Sequence, residues 1–191
     1  FGVVYRCSKS DLPMNDLQLR HRQDATSHRT LYLLFRIAGQ RFALDAHEVA
    51  EVLPRLPLKP IAQTPNWVAG VLAHRGVMVP VIDVGALSFG SPAPMRTSTR
   101  LVLVYYRVGQ QRADQLLGLI LEQATDTLRC LPEEFQPYGL DNQQAPYLGP
   151  VREDAQGLMQ RISVQALLSD EVRTLLYPLA DEAVSEGQKT R

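Results

Sequence analysis

Apolar runs of four to eight residues, each cut by glycine, proline or a charged pair, recur from residue 31 to the C-terminal region, and runs of this length predict strands. The sharpest example is GVLAHRGVMVPVID at 70–83. Val71-Leu72-Ala73 and Val77-Met78-Val79 predict two short strands, with His74-Arg75-Gly76 as the turn between them. Such a hairpin holds one permanently charged side chain, Arg75, at a fixed place. Upstream, 31–37 is strongly β-prone, Ala38-Gly39-Gln40 turns it, and 41–44 alternates polar and apolar. Asp45 offers an N-cap for a single helical turn. Strand alternation over 49–53 then sets Val49, Glu51 and Leu53 on one face. Pro54, Pro57, Pro60 and Pro65 force extended or turning chain up to Trp67. Residues 83–89 predict a short helix, with Asp83 as cap or buried hydrogen-bond partner, and 90–98 a Ser/Pro loop or hinge.

A second β set follows, with strands at 99–106 and 115–121 and a weaker one at 124–128. After a polar, proline-containing excursion at 131–144 come short strands at 147–151 and 158–162. A helix capped by Ser163 is expected next, then another from Asp170 that buries Val172, Leu175, Leu176 and Leu179. Many short strands broken by Gly and Pro favour small barrels over a parallel sheet. The expected organisation is a polar arm at 1–29, a folded region at 30–180 and a polar tail at 181–191. The folded region divides into a first unit at about 30–90, a second at about 98–162 and C-terminal helices at 163–180. Met14 opens MNDLQLRHRQ and offers a natural start.

Composition narrows the function classes. Formal net charge is zero, so no whole-protein field favours nucleic acid or an anionic membrane surface. Only three of the 20 basic residues are lysines, and arginine suits planar, bidentate protein contacts better than lysine does. The two cysteines, Cys7 and Cys130, form neither a disulfide framework nor a zinc spacing, which suits a reducing cytoplasm. Cys130, between apolar neighbours, is expected to be a small buried hydrophobe. No apolar run approaches the roughly 20 residues of a membrane helix. No nucleophile–base pair, ligand cluster or phosphate loop stands out, and no cofactor or metal is expected. A binding surface is the reading the residues favour.

From Leu33 to about Val184 the chain resembles the CheW-like family of chemotaxis adaptor proteins. The similarity is carried by LLFRIAGQRFALDAHEVAEVL at 33–53, AQTPNWVAGVLAHRGVMVPVIDV at 62–84, TRLVLVYYRV at 99–108, LLGLILEQATDTL at 116–128 and YLGPVREDAQGLMQRISVQALL at 147–168. The resemblance implies a mainly β fold: two five-stranded, SH3-like β-barrel subdomains around separate cores, with short helices and C-terminal helical packing. It also implies a non-enzymatic role, coupling the cytoplasmic tip of a methyl-accepting chemoreceptor to the regulatory domain of a CheA-type histidine kinase. On that reading the protein is cytoplasmic and recruited to membrane-bound receptor arrays, in a pathway of motility or of another output. The implied partner-binding positions are Val49, Glu51, Gly70 and Arg75, with Gly70 admitting a partner helix because it lacks a side chain. Ala73-His74 stands where the family has Asn-Leu, and Leu121-Glu122-Gln123 where it has a Val-Asp pair. The alternative class is a small β-barrel that binds nucleic acid or serves as another protein-interaction module.

Structural roles compete at each position. Arg75 pairs with Asp83 or Glu51 on one reading and faces a partner on the other. Glu51 is a solvated strand charge or a contact residue, and Gly70 and Gly76 serve backbone geometry or contact. His74 reads as a surface turn residue, Trp67 as a core anchor of the proline-rich segment, and Tyr105-Tyr106 as an alternating surface and core pair.

Overall fold

The computed structural model describes residues 29–108, 115–139 and 143–178, so the expected arm and tail lie outside the described residues, apart from Arg29. Among the described residues, nine strands carry the fold. The first three are β1 (Thr30–Ile37), β2 (Gln40–Asp45) and β3 (Val49–Pro54), and β4 (Val68–His74) and β5 (Val77–Asp83) form the expected hairpin. They are followed by β6 (Arg100–Tyr106), β7 (Gln115–Cys130), β8 (Leu148–Asp154) and β9 (Gly157–Ile162). Two short α-helices, α1 (Val84–Phe89) and α2 (Asp170–Leu176), join them among the described residues. Asp45 caps a 3-10 turn through its carboxylate, which accepts from the His47 amide at 2.9 Å.

The strands assemble into two sets of five that share β7. One set runs β3-β6-β7-β5-β4, with residues 115–121 of β7 paired antiparallel to β6 and Gly118, Leu119 and Ile120 paired parallel to β5. The other runs β7-β1-β2-β9-β8, with residues 122–130 of β7 against β1. The sets therefore do not divide along the chain at the 90–98 loop, as the sequence suggests. β1 and β2 leave their chain neighbours to pair with β9 and the far half of β7. The two strands expected at 115–121 and 124–128 are one 16-residue strand. Its change of sheet falls at Gln123, whose φ of 48° lies in the left-handed region, opposite a register shift between Leu34 and Arg36.

The packing is not two separate cores. Each set has a small interior. One holds Leu72, Val79, Val81, Leu101, Leu103 and Ile120; the other holds Tyr32, Ala43, Cys130, Phe135 and Met159. The largest cluster lies between the sets and draws on Phe35, Phe42 and Leu44 from one and Ile82, Val102, Val104, Leu117 and Leu119 from the other. Alternation on β6 and β7 feeds both: Leu103 faces the small interior while its neighbours Val102 and Val104 face the large cluster. Cys130 is buried as expected, and burial pushes its thiol pKa up, away from reactivity.

The C-terminal region closes the large cluster with less helix than the sequence suggests. Residues 164–166 form only a 3-10 turn, with no side-chain bond from Ser163. In α2 the cap is Ser169, and Val172 is buried, but Leu175 is exposed; Leu179 lies outside the described residues. The anchor is Tyr177, stacked on Tyr106 at 5.7 Å and donating its hydroxyl to the Leu116 carbonyl at 3.0 Å. Trp67 packs against the large cluster, Tyr105 is exposed and Tyr106 buried, as expected.

Candidate functional site

The site forms where β3 and β4, the two outer strands of their set, come together without pairing. The β4–β5 turn places Arg75 at φ 50° and Gly76 at φ 81°, both left-handed as a two-residue hairpin of this hand requires. That geometry projects Arg75 outward, with its side chain 76% exposed, while its guanidinium Nη2 lies 3.0 Å from Glu51 Oε2. The same carboxylate oxygen lies 3.2 Å from His74 Nε2. Glu51 on β3 thus joins two consecutive residues at the end of the β4–β5 hairpin, bridging the seam that backbone hydrogen bonds leave open. Of the two structural partners considered for Arg75, Glu51 is the one found. Asp83 is buried, its carboxylate accepting from the amides of Ala86 at 3.0 Å and Ala93 at 2.9 Å.

Beside this pairing lies a groove of about 340 Å³ lined by Ala50, Glu51, His74, Arg75, Val77, Leu103, Tyr105 and Leu116. Val77 and Tyr105 are 51% and 44% exposed, so an apolar surface adjoins the charged one. The surface is of mixed charged and apolar character. Among the described residues, no group of three or more His, Cys, Asp or Glu is placed to hold a metal ion.

The structure overturns one expectation, for Val49 and Glu51, and decides between the two open readings of Gly70. Val49 and Glu51 do not share a face. Val49 pairs with Val104 but Glu51 pairs with Leu103, because the register shifts by one residue at Ala50. Val104 and Leu103 point to opposite sides of β6, so Val49 packs against the large cluster while Glu51 turns toward the hairpin. Gly70 is buried, at φ 138°, and a Cβ there would sit 2.5 Å from the Lys59 carbonyl oxygen. The close approach it permits is by the chain's own 58–59 backbone, held to Val71 by two hydrogen bonds of 3.0 and 2.8 Å. It does not open onto the groove.

His74 was missed as a contributor. It reads as a turn residue, but it is the last residue of β4, paired with Val77, and its side chain is only 15% exposed. The signal was the turn itself: a two-residue Arg-Gly turn puts His74 in the strand.

A family model for the CheW-like domain matches residues 31–172. The chain belongs to the CheW-like family. It is similar to the chemotaxis protein CheW of Rhizobium meliloti, with 27% identity over 105 residues, 55% of this chain and 64% of the relative. Protein FrzA of Myxococcus xanthus is 34% identical over 92 residues, 46% of this chain and 56% of that protein. The chain thus spans roughly three-fifths of the length of these relatives. In fold it matches the crystal structure of scaffolding protein TtCheW from Thermoanaerobacter tengcongensis at a TM-score of 0.65 and 19% identity, covering 74% of this chain and 88% of that one. The mainly β, two-set architecture is that of the CheW-like fold. No helix among the described residues is long and apolar enough to cross a membrane.

Proposed function

We propose that this chain is a non-enzymatic adaptor that couples the cytoplasmic tip of a methyl-accepting chemoreceptor to the regulatory domain of a CheA-type histidine kinase. One observation carries the reading. Arg75 is held by Glu51 and the hairpin turn yet keeps a largely exposed guanidinium at the mouth of a half-apolar groove. A cation fixed in direction but still accessible suits bidentate recognition of a partner carboxylate. Family membership and the naming of similar proteins as chemotaxis or scaffolding proteins support the same role. An adaptor of this kind transmits a signal only through contacts that differ in energy between receptor states. On this reading Glu51 and Arg75 touch the partner, Val49 and Gly70 shape the surface from below, and the protein is recruited to receptor arrays.

The test pairs two measurements on one preparation: thermal unfolding, and sedimentation with receptor-bearing membranes and kinase. Arg75→Ala is expected to keep stability within about 0.5 kcal/mol, since exposed substitutions seldom do more. The ternary complex is expected to weaken by about 2–5 kcal/mol, as for loss of one partner of a desolvated charge pair. Arg75→Lys recovers only part of the binding, because the fork is lost. Unfolding of Arg75→Ala, or unchanged sedimentation, would refute the assignment.

A further inference from the structure

At the other end of the β3–β6 pair, about 10 Å from Glu51 at about 3.4 Å per residue, lies a second cleft, of about 420 Å³. Its lining is Pro54, Arg55, Met95, Arg96, Thr97, Thr99 and Arg100, three arginines and no carboxylate. Among the described residues none of these arginines forms an ion pair. In a chain of zero net charge, three unpaired arginines in one cleft are a local concentration of positive charge.

The cleft is built. The 90–98 loop, expected as a hinge, is tied down from below: buried Asp83 accepts from the Ala93 amide at 2.9 Å, and Thr99 donates its hydroxyl to the Pro94 carbonyl at 2.7 Å. Two of the arginines are themselves oriented by that loop. Arg55 donates to the Ala93 carbonyl at 3.0 Å and Arg100 to the Thr97 carbonyl at 2.8 Å, which leaves the rest of each fork available. Arg96 makes no side-chain bond among the described residues, and Met95 beside it is 80% exposed.

We propose that this cleft is a docking site for an acidic polypeptide segment of a partner protein, gripped by Arg55, Arg96 and Arg100 through its carboxylates. Fixed guanidinium forks match carboxylates in pairs, and orientation before binding lowers the ordering cost. An exposed methionine at the rim offers adaptable apolar contact to the segment's other side chains. A nucleic acid strand is disfavoured because no Phe, Tyr or Trp lines the cleft to stack a base. The site is separate from the Arg75 groove and does not depend on the adaptor reading.

The probe is a fluorescein-labelled hexaglutamate peptide, titrated against the full chain at low salt and followed by anisotropy, with amide chemical shifts recorded in parallel. Saturable binding with shifts concentrated at residues 54–55 and 95–100 is expected. Arg96→Glu, which removes no bond, is expected to weaken binding by about tenfold or more, a loss of about 1.4 kcal/mol. Arg36→Glu, in the other strand set, is expected to leave it within a factor of about two. Absence of saturable binding, shifts elsewhere, or equal loss from Arg36→Glu overturns the proposal. So does tighter binding of single-stranded DNA of equal charge through the same arginines, which would assign the cleft to nucleic acid.

Discussion

Gly70 offers the cleanest separation between a contact role and a structural one. Replacing it by alanine introduces a Cβ that must displace the Lys59 carbonyl, 2.5 Å away, and Leu58 Cβ lies at 3.3 Å on the same side. The backbone φ of 138° adds to this, since an L-residue is strained there. Strain of this kind costs about 1–3 kcal/mol. If the 58–59 segment yields, the two hydrogen bonds between Lys59 and Val71 are lost or bent, at about 1 kcal/mol each. The total is about 3–5 kcal/mol, which in a domain of this size lowers Tm by on the order of 10 °C.

The assay is denaturant unfolding of Gly70→Ala and wild type by far-UV circular dichroism. The midpoint is expected to fall while the slope stays constant, because the surface exposed on unfolding is unchanged. Sedimentation with receptor and kinase is expected to weaken only in proportion to the folded fraction. The opposite pattern, wild-type stability with lost assembly, would refute the reasoning and make Gly70 a contact after all.

Leu103→Ala empties part of the small interior enclosed by β3–β6 and the near half of β7, where Leu103 is fully buried, and is expected to cost about 2–5 kcal/mol in chemical denaturation. Asp154 is held at a pKa of about 2, below the usual 3.8, chiefly by the Arg41 guanidinium, which grips both its oxygens at 2.6 and 2.9 Å. Because the folded pKa is depressed, this pairing stabilises fully above about pH 4, and its contribution is lost as pH falls from there through 2. An acid titration of Tm should therefore be flatter in Asp154→Asn over that window, and identical slopes would deny Asp154 the role.

What the sequence made legible was local. The β4–β5 hairpin, the Asp45 cap and the helix after Asp83 follow from residue types at short range. Partnering across the chain did not. Nothing in residues 122–128 says that they continue a strand begun at Gln115, because the device that redirects β7 is a left-handed Gln123, not a glycine or proline. The bulge at Ala50 was equally silent: VAEVL alternates cleanly, and only the register against β6 reveals that Val49 and Glu51 face opposite ways. For the site, Arg75 was visible from its Gly-bracketed turn, whereas the reason for Gly70 lay in a segment eleven residues earlier. The 90–98 loop looked like a hinge because the sequence, which offers Asp83 as a helix cap or a buried hydrogen-bond partner, does not show that it ties to Ala93. A carboxylate has two oxygens, and the second holds Ala93.

These misreadings share a consequence for mechanism. Had the two strand sets been consecutive units around separate cores, a loop would join them and their surfaces would be free to move against each other. Instead one strand runs through both, and the largest cluster fills the space between. Moving one set relative to the other would expose that cluster, and packed interiors of this kind are not continuously deformable. The Arg75 groove and the arginine cleft both lie along β3 and β6, within that single rigid frame. On the adaptor reading proposed above, a body so built does not relay a signal by changing its own shape over large distances. On that reading it fixes the distance and angle between bound partners, and a change in how a partner sits on Arg75 would be passed on as a displacement of the whole body.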